Sequence, residues 1–171
     1  MRKIGVLSNT IFLSILIAAT YGVLHDEVTY SISPEYFTKF KYRQFNLHPD
    51  LLGNHRRTVA VIGFLATWWV GLYIGIIIGM TGLIVKDHIT MRKMMYRSLA
   101  IIFIAVILFG AVGFFWGRYH LTRTGVDWWL PSDLVDKNSF ITVGSIHHFG
   151  YLGAMAGVVL ATGYMIVQRR R

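Results

Sequence analysis

Residues 98–116 read SLAIIFIAVILFGAVGFFW, a stretch with no charge and a single hydroxyl. As a helix rising about 1.5 Å per residue it reaches about 28 Å, close to the roughly 30 Å of hydrocarbon in a bilayer. Backbone N–H and C=O groups cannot go unpaired in lipid, so an apolar run of this length must be helical. Three further runs, 4–24, 58–85 and 140–167, have the same character. The expected fold is therefore an all-α membrane protein, a four-transmembrane-helix bundle. It forms one membrane domain over 1–171, with outer loops at 25–57 and 117–139 and an inner loop at 86–97.

Composition agrees. Of 171 residues, 54% are hydrophobic and 15% charged, which excludes an ordinary soluble domain. The net charge of +9 is spread beside the apolar runs instead of forming one patch with interleaved aromatics, so no nucleic-acid partner is expected. The absence of cysteine excludes disulfides, thiolate nucleophiles and cysteine-ligated metals. The first run follows Arg2 and Lys3 and holds Ala18-Ala19, as a secretory signal would. Its apolar stretch is longer than a usual signal core, and it is expected to be retained as a span.

Orientation follows from the basic residues. With the N-terminus inside, nine of the 17 lysines and arginines are cytoplasmic and eight are outside, a near tie. Loop context breaks it. The inner loop is short and almost purely basic, whereas the outer loops are long and carry seven of the eight acids. N- and C-termini are thus expected on the cytoplasmic side.

The first outer loop is patterned. Val28, Tyr30 and Ile32 alternate with Thr29, Ser31 and Ser33, which predicts a short extended stretch. Ser33-Pro34-Glu35 then reads as a helix start, with Ser as N-cap, Pro at the first helical position and an acid in the first turn. That helix is expected to run to about Leu47, stopped by Pro49. Its mixture of Tyr36, Phe37, Phe40, Tyr42 and Phe45 with Lys39, Lys41 and Arg43 suits either an amphipathic interfacial helix with cations toward lipid phosphates or a cap over the bundle. Trp128-Trp129 and Trp68-Trp69 read as an interfacial aromatic belt.

Close helix contacts in lipid rely on small residues. Gly71, Gly75 and Gly79 line one face of the second run, and Gly153, Gly157 and Ala161 one face of the fourth. These grooves fit packing inside the bundle or, alternatively, a homo-oligomeric contact. A parallel duplication of two helical hairpins is also indicated. Tyr21-Gly22-Val23-Leu24-His25 resembles Trp116-Gly117-Arg118-Tyr119-His120, and Gly63-Phe64-Leu65-Ala66 resembles Gly150-Tyr151-Leu152-Gly153.

Six of seven histidines fall on the outer side. His25 and His120 end their spans at similar depth, and His147 and His148 lie near the outer boundary of the fourth. Adjacent residues on a helix point about 100° apart, so one of His147 and His148 faces inward. Imidazole is the commonest metal ligand and titrates near neutrality. His25, His120, His147 and His148 are therefore the candidate metal ligands, with Asp26 and Glu35 as supporting carboxylates and haem or copper as candidate cofactors. Independent interfacial histidines, or a polar structural cluster, are the competing reading. G-x-S-x-G and P-loop signatures are absent.

The segment from His25 to Thr38, HDEVTYSISPEYFT, and the opening of the fourth run, Gly144 to Gly153, resemble a signature of small uncharacterised bacterial four-helix membrane proteins. The resemblance covers about a fifth of the chain. It implies a bacterial cytoplasmic (inner) membrane location and brings no activity, cofactor or ligand with it.

The functional expectation is a non-enzymatic accessory subunit or small binding or sensing protein with a His/acid cluster on its outer face. It is embedded in the lipid bilayer, with other membrane protein subunits as candidate partners. Alternatives are a haem- or copper-binding redox protein and a small transporter or channel.

Overall fold

The computed structural model describes residues 2–48 and 52–169, and among these every regular element is helical. In chain order they are α1 (Arg2–Ile32), α2 (Pro34–Tyr36), α3 (Tyr42–Phe45), α4 (His55–Gly82), α5 (His88–Trp116), α6 (Thr122–Thr124) and α7 (Lys137–Gln168). A π-helical turn, Phe37–Lys41, joins α2 to α3, and another, Gly117–Leu121, joins α5 to α6. The helices carrying the four apolar runs are each long and apolar enough to cross a membrane. The protein is a four-helix membrane bundle.

The helices overrun their apolar runs. Residues 25–32, expected to be extended in part, continue α1. The hydroxyls are satisfied there: Thr29 donates back to the His25 carbonyl at 2.9 Å and Ser31 to that of Glu27 at 3.0 Å, so side chains that favour strands are accommodated on a helix. Much of the expected inner loop is helical too, because Asp87 caps α5 by accepting from the N–H groups of Ile89 and Thr90 at 3.0 and 2.9 Å. The 31 residues of α1 span about 46 Å, about 15 Å more than the hydrocarbon, so part of the helix lies outside it.

The Ser33-Pro34-Glu35 start forms as expected, with Ser33 accepting from the Tyr36 N–H. The segment ends earlier than Leu47: Asn46 takes the left-handed conformation at φ 51° and closes α3. Pro49 lies outside the described residues. Tyr36, Phe37 and Tyr42 pack against Val59, Ile62, Phe140 and Val143, so this segment caps the bundle with its aromatics inside protein. We call this the cap end. Lys41, which the interfacial reading would point to phosphates, is instead 4% exposed. The opposite, basal half is filled by Ile78, Val85, Met91, Met94, Met95, Ile102, Ala161 and Met165.

Glycines set the two closest helix pairs. A Cβ on Gly22 would lie 2.2 Å from the Gly63 carbonyl oxygen, and one on Gly71 2.5 Å from that of Ser14, which locks α1 to α4. In α5 and α7, a Cβ on Gly117 would lie 2.8 Å from the Ser145 Cβ and one on Gly153 2.7 Å from the Phe109 Cβ. Gly71, Gly75 and Gly79 thus seat α1, and Gly153 and Gly157 seat α5, within the chain. The two pairs share a register: Gly71 meets the residue eight before Gly22, and Gly153 the residue eight before Gly117. This equates Gly71 with Gly153. The similarity of Gly63-Phe64 to Gly150-Tyr151 would instead equate Gly71 with Val158, five residues further on, so that match does not follow the packing.

Candidate functional site

The buried face of α1 is a stripe of small and polar residues, Thr10, Ser14, Ala19, Gly22, Asp26 and Thr29. Its apolar residues Phe12, Leu16, Leu24 and Val28 face outward. This inverts the pattern of a soluble helix, as lipid demands. The stripe carries the Asp26 carboxylate into the bundle, where the residue is 3% exposed. A carboxylate held this deep requires compensation.

His147 on α7 supplies it. Its Nε2 lies 3.2 Å from Asp26 Oδ1, and its Nδ1 lies 2.9 Å from the Val143 carbonyl oxygen. A carbonyl can only accept, so Nδ1 carries a proton and donates. Nε2 and Oδ1 then need one more proton between them to make their hydrogen bond. The pair is an imidazolium–carboxylate or its neutral counterpart, and Nε2 is the nitrogen left for any ligand that replaces that proton. Asp26 Oδ2 is buried with no hydrogen-bond partner.

His25 completes the cluster from the preceding position on α1. Its Nδ1 lies 3.0 Å from the Tyr21 hydroxyl one turn back, and its ring centre lies 4.8 Å from that of His147, at 76°. One ligand atom each from His25, Asp26 and His147 can be chosen so that all lie within 4.8 Å of one another. Each imidazole has its Nδ1 held by a group outside the cluster, the Tyr21 hydroxyl for His25 and the Val143 carbonyl for His147, the arrangement that fixes tautomer and ring orientation in metal sites. With metal–nitrogen bonds of about 2 Å, two imidazoles on opposite faces of a haem would have ring centres about 6 Å apart. His25 and His147 leave space for an ion between them and none for a porphyrin.

Three spaces meet at this cluster. Below it, a narrow cavity of about 100 Å³ runs between the helices, lined by Ser14, Tyr21, Thr67, Tyr151 and mostly apolar neighbours. Beside it, a groove of about 640 Å³ opens between α1 and α5 past Gly110 and ends on Tyr21 and His25. Above it, a vestibule of about 370 Å³ is walled by Tyr36, Phe40, Trp128, Trp129, Phe140 and Tyr151, with Lys41, Gln44, His147 and His148 as its polar groups. The Tyr36 ring stacks on His147 at 4.9 Å.

Of the residues picked out in the sequence, the fold brings together His25, His147 and Asp26 and leaves the others elsewhere. His120 is exposed and lies against Trp116, ring centres 4.1 Å apart. It lies within the π-helical turn Gly117–Leu121, whose wider winding changes its angular position, whereas the equivalent stretch of α1 is regular α-helix. His148 lines the vestibule, one residue round the helix from His147. Glu35 serves the cap. Its carboxylate pairs with Lys39 at 2.7 Å and accepts from the N–H groups of Val135 and Asp136, tying the two long connections together. The Lys39 hydrogen bond, followed by those two backbone donors, pulls its pKa down to about 2. Lys39 also donates to the Asp133 carbonyl.

Tyr21, Lys41 and the two loop tryptophans belong to the site, although no pattern in the sequence assigns them to it. For Tyr21 the available signal is its i, i+4 spacing from His25. Nothing local marks Lys41 as buried. Its burial lowers the ammonium pKa from the ordinary value, and the Asp26 carboxylate opposes that shift.

No protein-family model, curated protein or solved structure matches the chain.

Proposed function

We propose that this protein is a membrane-embedded metal-binding protein that holds one first-row transition-metal ion through His25, Asp26 and His147. The convergence of those three ligand atoms within 4.8 Å carries the reading. Two imidazoles and a carboxylate with further positions open suit zinc, copper(II) or iron(II). The ion replaces the proton shared by His147 and Asp26 and gives the unpartnered Oδ2 of Asp26 a function. The reading is one of binding: a small sensor or an accessory subunit in a bacterial cytoplasmic membrane, termini in the cytoplasm, with the vestibule facing out. Large apolar side chains fill the basal half, which favours binding over conduction.

The test is metal titration of chelator-treated, detergent-solubilised protein. Zinc and cobalt(II) are expected to bind saturably at about one per chain, cobalt giving visible d–d bands. His25→Ala and His147→Ala should abolish this, whereas His120→Ala and His148→Ala should retain it. Absence of saturable binding, or binding indifferent to the first two variants, overturns the proposal and leaves Asp26 and His147 as a structural hydrogen-bonded pair.

A further inference from the structure

Lys41 is a buried cation at the wall of an open aromatic vestibule. It is 4% exposed, yet no carboxylate among the described residues forms an ion pair with it. Other charges at this end are paired: Lys39 with Glu35 and Asp133, Arg56 with Glu27 at 2.7 Å, and Asp26 with His147. Beside the Lys41 ammonium stand ring faces, those of Tyr36 at 6.0 Å and Phe45 at 5.6 Å. Such contacts do not offset the cost of burying an unpaired ammonium. Its placement on the vestibule wall lets an incoming anion do so.

The walls specify what kind of anion. Gly144 borders two of the vestibule's rings: a Cβ there would make ordinary contact with Trp128 at 3.5 Å and with Tyr36 at 3.6 Å. An aromatic-walled space with a buried cation on its wall is complementary to a flat unsaturated body bearing one negative charge. At about 370 Å³ the space takes a molecule of one or two rings and excludes a folded peptide. We propose that the vestibule is a binding site for a small, flat organic monoanion whose carboxylate pairs with Lys41 and whose body lies against the aromatic walls.

This site does not depend on the metal, and metal-free protein keeps the two proposals separable. Chelator-treated protein in phosphatidylcholine nanodiscs would be titrated calorimetrically with 1-naphthoate and with the neutral 1-naphthamide. Naphthoate is expected to bind one per chain and about ten- to a hundredfold tighter than the amide, the range for a charge-assisted hydrogen bond. Lys41→Met should remove the preference for the acid, Lys41→Arg should keep it, and Gly144→Leu should block both ligands by placing a bulky side chain on the vestibule wall. Removing an unpaired buried charge is not expected to unfold the protein, so Lys41→Met is a usable control. Equal affinity for acid and amide, or naphthoate binding unchanged in Lys41→Met, overturns the proposal. So does loss of naphthoate binding when phosphatidylglycerol replaces phosphatidylcholine, which would give the site to a lipid headgroup.

Discussion

Asp26 shows how much one residue asks of its neighbours. Its position on the small-residue stripe of α1 forces it inward, and the fold answers with an imidazole on a different helix, itself steadied by a carbonyl one turn earlier. Glu35 is the contrasting carboxylate at the cap surface, where Lys39 and two backbone N–H groups hold it in the charged form with a pKa of about 2. A carboxyl whose pKa is depressed by folding stabilises the folded state fully above its ordinary value, near 4.5, and loses that contribution as pH falls through the folded value. The clamp between Glu35 and residues 135–136 is therefore expected to hold at neutral pH and release between about pH 4.5 and 2, read as a change in tryptophan fluorescence as Trp128 and Trp129 are freed. Glu35→Gln should weaken the cap at neutral pH and flatten that acid transition; an unchanged transition would show that Glu35 does not hold the cap. At this scale the sequence is partly legible. Depth along the spans picks out His25, His120, His147 and His148 alike, with Asp26 and Glu35 as carboxylates, and does not separate those that converge from those that do not. Which of His147 and His148 faces inward depends on the phase of α7, which the alternation of glycine and apolar residues over 144–157 leaves undefined. Lys41 is unreadable, because its burial comes from the cap folding over and not from any neighbour in sequence.

At the scale of elements, backbone proximity does what hydrophobic burial does in water. Gly22 and Gly63 face one another so closely that each would place a Cβ against the other's carbonyl. Gly63→Ala is expected to push α1 from α4 and destabilise the bundle by about 1–3 kcal/mol, the usual range for overpacking, because the obstacle is backbone and cannot rotate away. A Cβ on Gly163 would have open space, with no atom within 4 Å, so Gly163→Ala should be neutral or slightly stabilising through helix propensity. Thermal unfolding in detergent compares the two, and equal shifts would refute glycine-mediated packing of α1 on α4. Because Gly22 lies one turn before Asp26, the same displacement should also weaken metal binding. The spans, the Ser33-Pro34-Glu35 helix start and the glycine faces are all legible in the sequence, each resting on a local rule. The conformation of Val28–Ile32 is not, since alternation of β-branched and hydroxyl residues suits a strand equally well until the hydroxyls turn back to the helix carbonyls.

At the scale of the whole molecule, four antiparallel crossings put both termini on the side opposite the cap. The near-even split of basic residues makes sidedness the weakest inference from sequence, and lipid-facing apolar surface carries no information about it. The chain itself supplies the means of measuring it, because it has no cysteine. Single cysteines at Arg92, on the first turns of α5, and at Val135, in the second long connection and 91% exposed, report on opposite ends of the bundle. In intact bacterial cells a membrane-impermeant maleimide is expected to label Val135→Cys readily and Arg92→Cys only after the membrane is opened. The reverse pattern would place the vestibule in the cytoplasm. That result would leave the geometry of His25, Asp26 and His147 intact but change what can reach it: an extracytoplasmic mouth samples metal ions and organic anions of the surroundings, whereas a cytoplasmic one samples the buffered interior of the cell. Sidedness would therefore decide which pool the proposed sites sample, and it follows from the balance of charge across all four helices, not from any residue of the site.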